Sequence, residues 1–139
     1  MITVRPAQEE DFASIEDLLQ GLEIGHPSFS ARDFQVASVD GEIAAVANLK
    51  DCGACFYLGA VGVAERQQGR GVARKFLDEI LAAADRDVYL YTRIPEFFGR
   101  FGFGVARAPA AIPPREIYGC EACDGAAACV CMVRRADAP

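Results

Sequence analysis

The sequence predicts a single α+β (mixed α/β) domain over residues 1–139, with a central mixed sheet of about six or seven strands flanked by helices. Three observations favour this class. The chain has 139 residues, of which 52% are apolar, so one domain can bury its own core without disulfides or metals. Its first half contains strand patterns joined by a tight hairpin turn, which indicates antiparallel pairing. Its second half contains two strand–helix units, which place their strands in parallel.

The first half is predicted to form a strand, a helix and a hairpin. Residues 2–5 alternate apolar and polar side chains, as a half-buried strand does. Residues 9–22 carry apolar side chains at three- and four-residue steps, with acids in the first turn, which predicts an amphipathic helix. Strands at 34–39 and 42–49 follow, because Asp40-Gly41 between them is a strong hairpin signal.

The second half is predicted to hold the strand–helix units. Residues 56–63 form an almost continuous apolar run, typical of a strand buried on both faces. A helix at 71–84, a short strand at 88–91 and a short helix at 95–100, which opens on a proline, come next. The remaining segments are predicted as a strand at 103–106, loops at 108–114 and 120–128, and a final strand at 129–134.

Charge and apolar run length exclude several classes of partner. The net charge of −6 argues against nonspecific attraction to nucleic acid or to an anionic membrane surface. No apolar run approaches the ~20 residues that a membrane helix needs, and the first residues show no apolar signal segment. We therefore expect a cytoplasmic protein with neither nucleic acid nor membrane as a partner.

The stretch that indicates chemistry runs from Arg66 to Ala73, between a buried strand and a helix. Gly69 and Gly71 allow the backbone to approach a ligand closely, and the free N–H groups at the helix start point to the same place. With the arginines nearby, this pattern predicts a pyrophosphate cradle. A merely tight connection is the alternative explanation. The pattern lacks the third glycine of a dinucleotide fingerprint and the Gly-Lys-Ser/Thr of a Walker loop.

These residues resemble a known family. Arg66-x-x-Gly69-x-Gly71 is similar to the R/Q-x-x-G-x-G/A pattern of the GNAT superfamily of acyl-CoA N-acyltransferases. Residues 57–63 resemble the family's apolar fourth strand, residues 89–92 its fifth strand, and residues 97–103 its short helix with a Gly-Phe pair. The order of these motifs fits across nearly the whole chain.

The resemblance implies that acetyl-CoA is the co-substrate and that its acetyl group passes directly to a primary amine. Main-chain groups of residues 68–73 would hold the pyrophosphate, and those of Val61 and Val63 would pair with the pantetheine arm. Thr92 and Phe98 would border the thioester. The residues so implied are Val61, Gly62, Val63, Arg66, Gln68, Gly69, Arg70, Gly71, Val72, Ala73, Thr92 and Phe98.

The sequence departs from the family at its proton-handling groups. Phe98 stands where many members carry a tyrosine as general acid, and the fourth strand lacks the glutamate that some members use as base. His26, Tyr57 and Tyr118 are the candidate catalytic residues in their place. Catalysis by positioning alone, with water carrying the proton, is the alternative.

The tail adds a narrower resemblance. Residues 112–132, with Cys120-x-x-Cys123 and a later cysteine, are similar to the end of short N-acetylglutamate synthases. The acceptor is therefore expected to be a small-molecule amine, with an amino acid as one candidate. Gly25-His26-Pro27-Ser28 replaces the leucine-proline-arginine loop of that group, so specificity for glutamate does not follow. Members of the superfamily are often dimers, which suggests a homodimer here.

Six cysteines leave two further hypotheses open. They are Cys52, Cys55, Cys120, Cys123, Cys129 and Cys131. Cys120, Cys123 and Cys129 are the best local cluster, so a structural zinc, if one is bound, is expected there. The main alternative function is a CoA- or metal-binding sensor with weak or no catalysis. The other is a redox-responsive protein that uses the four cysteines of the tail.

Overall fold

The structure is a computed structural model that describes residues 2–22, 24, 30–114 and 129–136. Within these residues, seven strands form one sheet in the order β1-β2-β3-β4-β5-β7-β6. The strands are β1 Ile2–Pro6, β2 Phe34–Val39, β3 Glu42–Asp51, β4 Phe56–Val63, β5 Val88–Thr92, β6 Gly104–Val105 and β7 Val130–Arg134. The α-helices are α1 Phe12–Gly21, α2 Val72–Ala83 and α3 Pro95–Gly99. The predicted mixed α/β class is confirmed.

The sheet combines an antiparallel meander with one parallel pair. Strands β1 to β4 pair antiparallel in sequence order, and β7 pairs antiparallel with both β5 and β6. Only β4 and β5 are parallel among the described strands. They are parallel because α2 carries the chain back between them, as the predicted strand–helix unit requires.

Several element boundaries differ from the predicted ones. The helix predicted from residue 9 begins as a 3-10 turn, Glu9–Asp11, because the Asp11 carboxylate accepts a 2.7 Å hydrogen bond from the N–H of Gln8. Two more 3-10 turns, Ala31–Asp33 and Glu65–Gln67, have no apolar periodicity that could reveal them. The strand predicted at 103–106 contains only Gly104–Val105.

The core lies on both faces of the sheet. One face packs against α2 and α3 and buries residues such as Leu58, Phe76 and Leu90; we call it the α2 face. The other face packs against α1 and buries Ile15 and Val46, among others; we call it the α1 face. None of the described helices is both long and apolar enough to cross a membrane.

Candidate active site

A cleft opens where the parallel strands separate. β4 and β5 pair only at Phe56–Val88 and Tyr57–Tyr89, and beyond these pairs no register joins them. The resulting cleft has a volume of about 1120 Å³. Its walls come from β4, the following loop, the first turn of α2, the end of β5, and α3. The cleft therefore leaves one edge of β4 available to a ligand.

A β-bulge shapes the β4 wall of the cleft. Gly59 lies opposite Asn48 of β3 and Gly62 lies opposite Val46, so Ala60 and Val61 have a single residue across from them. Ala60 takes a φ of 51°, which is uncommon for a residue with a side chain. The bulge lies three residues beyond the last β4–β5 pair and bends β4 there.

Beyond the bulge, main-chain groups of β4 point to the cleft. The N–H of Ala64 donates to the carbonyl of Ala44 at 2.8 Å, so Ala64 faces β3. Because successive residues of a strand alternate, the N–H and carbonyl of Val63 point away from β3, toward the cleft. The side-chain amide of Gln68 donates to that Val63 carbonyl at 3.0 Å, which ties the following loop to the end of β4.

The predicted cradle, residues 68–73, consists of the loop at residues 68–71 and the first two residues of α2. Gly69 and Gly71 both have a φ of 78°, in the left-handed region that favours glycine. No atom lies within 4 Å of a Cβ built at either position, so the space beside the loop is open. Gly71 is also the N-cap of α2, whose first N–H groups have no partner within the helix. The loop can therefore accept an anion.

Three arginines outside the cradle motif also line the cleft. Arg74, Arg93 and Arg100 belong to its walls. Arg74 lies one turn after the loop, with its guanidinium 5.3 Å from the ring centre of Phe101. Its spacing of three residues from Gly71 on a predicted helix is a signal that it lies on the same side as the loop. Arg66, which belongs to the predicted motif, does not line the cleft. It forms an ion pair with Glu42 of β3 in a separate polar depression. A role for Arg66 and for the exposed Arg70 in CoA binding stays a prediction.

Two predicted residues come from β5 and α3. Thr92 is buried, and its hydroxyl accepts a 2.9 Å hydrogen bond from the N–H of Ile94 before α3 begins. Phe98 is buried on α3, with its ring centre 5.0 Å from that of Phe97 and 5.9 Å from that of Phe103. Both residues line the cleft. Their contact with a thioester stays a prediction.

One candidate catalytic residue lies within the described part of the chain. Tyr57 is 1% exposed and lines the base of the cleft, with its ring centre 5.8 Å from that of Tyr91. The Tyr91 hydroxyl in turn donates to the Pro113 carbonyl at 2.9 Å. His26 and Tyr118 lie outside the described residues. A proton-transfer role for any of the three stays a prediction.

Four of the six cysteines lie within the described residues: Cys52, Cys55, Cys129 and Cys131. Cys52 and Cys55 face each other across the turn between β3 and β4, where the Cys52 N–H donates to the Cys55 carbonyl at 2.9 Å. Burial raises the pKa of both thiols above the ordinary value. Cys129 lines the cleft, whereas Cys120 and Cys123 lie outside the described residues. Within the described ranges, no three His, Cys, Asp or Glu side chains are placed to bind a metal, and the zinc site stays a prediction.

Known proteins share this fold. One is N-acetylglutamate synthase from Neisseria gonorrhoeae, complexed with coenzyme A and N-acetyl-glutamate. The superposition has a TM-score of 0.76 at 21% sequence identity, and it covers 99% of this chain but 36% of the synthase. A Mycobacterium tuberculosis protein complexed with CoA gives a TM-score of 0.71 at 19% identity, with 96% and 98% of the two chains covered. A ribosomal-protein alanine N-acetyltransferase from Escherichia coli gives 0.71 at 13% identity, covering 100% of this chain and 96% of the enzyme.

These likenesses establish the fold, and a family model establishes the family. The chain spans only about a third of the length of the Neisseria synthase. No curated protein sequence matches it significantly. The model of the acetyltransferase (GNAT) family matches residues 3–103, which include the bulged strand, the cradle loop and α3. The chain therefore belongs to the acetyltransferase (GNAT) family.

Proposed function

We propose that this chain transfers the acetyl group of acetyl-CoA directly to the primary amine of a small molecule of the amino-acid class. The observation that carries the proposal is the cleft between β4 and β5, which has the anion-accepting loop at one end and unpaired main chain along one wall. A nucleotide with a long, thin arm fits such a space. The 1120 Å³ volume also leaves room for a small acceptor.

The proposed roles follow the geometry of the walls. N–H groups at residues 68–73 bind the diphosphate, and main-chain groups of Val61 and Val63 align the arm as an added strand would. Tyr57 and Phe98 restrict water at the reacting end. A carbon–nitrogen bond forms as the carbon–sulfur bond of the thioester breaks, and the amine gives up one proton. Positioning of amine and thioester supplies much of the acceleration.

Two observations support an amino acid as the acceptor. Arg100 lines the cleft and offers positive charge to a carboxylate. The Neisseria synthase, which shares the fold, binds N-acetyl-glutamate. The Escherichia coli relative acts instead on a ribosomal-protein alanine, so the terminus of a protein is the competing acceptor. The cytoplasmic location, the homodimer and the single domain over residues 1–139 stay predictions.

Titration calorimetry with acetyl-CoA and with free CoA tests the first half of the proposal. Binding of both is expected, and no binding of either at millimolar concentration would overturn it. Release of CoA is then measured with each amino acid, with polyamines and with alanine-terminated peptides. The proposal requires turnover with at least one free amino acid, and turnover with peptides alone would assign the competing acceptor.

A second candidate function is a CoA-binding sensor without appreciable catalysis. It is favoured by one observation: no carboxylate and no imidazole is present among the described residues that line the cleft. Binding of CoA without turnover across the whole amine panel would select this function. Rapid turnover with any amine would exclude it.

A further inference from the structure

Arg74 on α2 is, of the arginines that line the cleft, the one that follows the cradle loop most closely. It belongs to the first turn of the helix, three residues after Gly71, which is about 4.5 Å along the helix axis. Its side chain is 62% exposed, so a ligand in the cleft can reach it. The first N–H groups of α2 add positive potential at the same end of the helix. Arg74 therefore places a cation beside the loop that can accept an anion.

Two contacts hold the Arg74 guanidinium in place. Its Nε donates a hydrogen bond to Oδ2 of Asp78, one turn later in the helix, at 3.3 Å. Its central carbon lies 5.3 Å from the ring centre of Phe101, which also lines the cleft. Within the described part of the chain, neither Nη nitrogen of Arg74 hydrogen-bonds to another residue. Their N–H groups form a planar fork that matches the oxygens of a phosphate.

Coenzyme A carries one phosphate more than the cradle loop binds in the proposed function. The diphosphate is assigned to the N–H groups of residues 68–73, and the phosphate on the 3′ carbon of the ribose has no partner yet. This phosphate is a monoester, which carries roughly −1.5 to −2 charges at neutral pH. The carbon that bears it is bonded to the carbon from which the diphosphate arm extends. A protein that binds the diphosphate therefore holds the 3′-phosphate close by.

We propose that Arg74 binds the 3′-phosphate of CoA through its Nη nitrogens, so that the chain discriminates CoA from dephospho-CoA, which lacks this group. This inference rests on the proposed function and adds to it a specificity-determining residue for the co-substrate. Because Asp78 and Phe101 already order the guanidinium, little side-chain entropy is lost when the phosphate binds. The guanidinium also stays charged at any pH that the folded protein tolerates.

Two competing explanations give Arg74 another role. Either it stabilises α2 alone, through Asp78 and Phe101, or it binds the diphosphate. Arg74→Met removes the charge at similar side-chain length. Lys75→Met is the matched control, because Lys75 is the next residue of α2, is exposed, and does not line the cleft. Arg100→Met tests the other cation, which the proposed function assigns to the carboxylate of the acceptor.

Titration calorimetry with CoA and with dephospho-CoA separates these explanations. The natural chain should bind CoA about tenfold more tightly than dephospho-CoA, because charge-assisted hydrogen bonds to the 3′-phosphate are made only with CoA. In Arg74→Met the two Kd values should lie within about threefold of each other, with the Kd of dephospho-CoA unchanged. Lys75→Met and Arg100→Met should keep the tenfold ratio.

Three results of this titration would overturn the inference. The first is equal Kd values for the two ligands in the natural chain. The second is a ratio that Arg74→Met retains, whether both Kd values stay unchanged or both rise equally, since these outcomes assign Arg74 to the helix alone or to the diphosphate. The third is loss of the ratio in Arg100→Met, which would assign the 3′-phosphate to Arg100.

A second measurement observes the phosphate itself. The 3′-phosphate of CoA gives a ³¹P NMR signal separate from those of the diphosphate, and the ordinary pKa of a phosphate monoester is about 6. A guanidinium stabilises the dianion, so binding to the natural chain or to Lys75→Met should lower this pKa, and binding to Arg74→Met should not. An unchanged pKa in the natural chain would overturn the inference. Absence of binding of both CoA and dephospho-CoA would instead overturn the proposed function, and this inference with it.

Discussion

Tyr57 of β4 and Tyr89 of β5 form the last residue pair that joins the two parallel strands. Past this pair, β4 bends at its bulge and β5 continues in register with β7 alone. The buried Tyr57 ring, 5.8 Å from Tyr91, closes the base of the gap. The place where the parallel pairing ends therefore fixes the position of the cleft.

The cradle loop depends on a left-handed backbone at Gly71. Its φ of 78° disfavours any residue with a side chain. Gly71→Ala is expected to lower the free energy of unfolding by about 1–2 kcal/mol. The Kd for CoA should rise about tenfold, because the N–H groups at the start of α2 no longer converge. Denaturant unfolding and titration calorimetry measure the two effects.

Gly21→Ala is the matched control for this change. Gly21 ends α1, has no positive φ and has nothing within 4 Å of a built Cβ. Alanine should be tolerated or slightly stabilising there, by up to about 1 kcal/mol, with the Kd for CoA unchanged. Equal CoA affinity in Gly71→Ala and Gly21→Ala would contradict the role assigned to the loop.

Phe98 and Phe103 offer a comparison on the α3 side of the cleft. Both are buried in the same cluster, and their ring centres are 5.9 Å apart, but only Phe98 lines the cleft. Leucine at either position should cost about 1–2 kcal/mol of stability through lost packing. Phe98→Leu alone should also raise the KM for acetyl-CoA. A similar KM change in Phe103→Leu would show that packing, not contact, is responsible.

Sequence patterns predict the parts of this site that depend on local geometry. Gly69 and Gly71 reveal the loop because only glycine adopts their backbone freely, and Asp40-Gly41 reveals the hairpin for the same reason. The bulge has no such signature, because Ala60 is strained by its surroundings and not by its own preference. The pairing of Asn48 with Gly59, after which the bulge begins, has no local signature either, because strand register cannot be read from one segment.

The thiols of the β3–β4 turn should react slowly with alkylating reagents. Burial raises the pKa of Cys52 and Cys55, so the reactive thiolate is scarce at neutral pH. With iodoacetamide at pH 7.5, Cys55 should react at least about tenfold more slowly than in urea-unfolded chain, since it is also 4% exposed. Mass spectrometry of peptides follows each site. Reaction of Cys55 at the unfolded rate would contradict burial as its controlling feature.

Arg5 and Asp11 connect β1 to the start of α1. The Arg5 guanidinium donates two hydrogen bonds to the Asp11 carboxylate, at 2.6 and 3.1 Å, and the Asp11 side chain is 9% exposed. These hydrogen bonds hold the pKa of Asp11 below its ordinary value of 3.8. Asp11→Asn should therefore lower the free energy of unfolding at pH 7 by about 1–3 kcal/mol.

The pH dependence of this loss has a definite sign. A carboxyl with a lowered folded pKa stabilises the fold fully above its ordinary pKa, and this contribution is lost as the pH falls through the folded value. The difference between the natural chain and Asp11→Asn should thus be largest at neutral pH and shrink below about pH 4. Urea unfolding of Arg5→Met, Asp11→Asn and the double variant isolates the pair, because the coupling free energy excludes the separate contributions of each side chain. A coupling that is zero at pH 7, or that grows in acid, would show that this ion pair does not anchor α1 to the sheet.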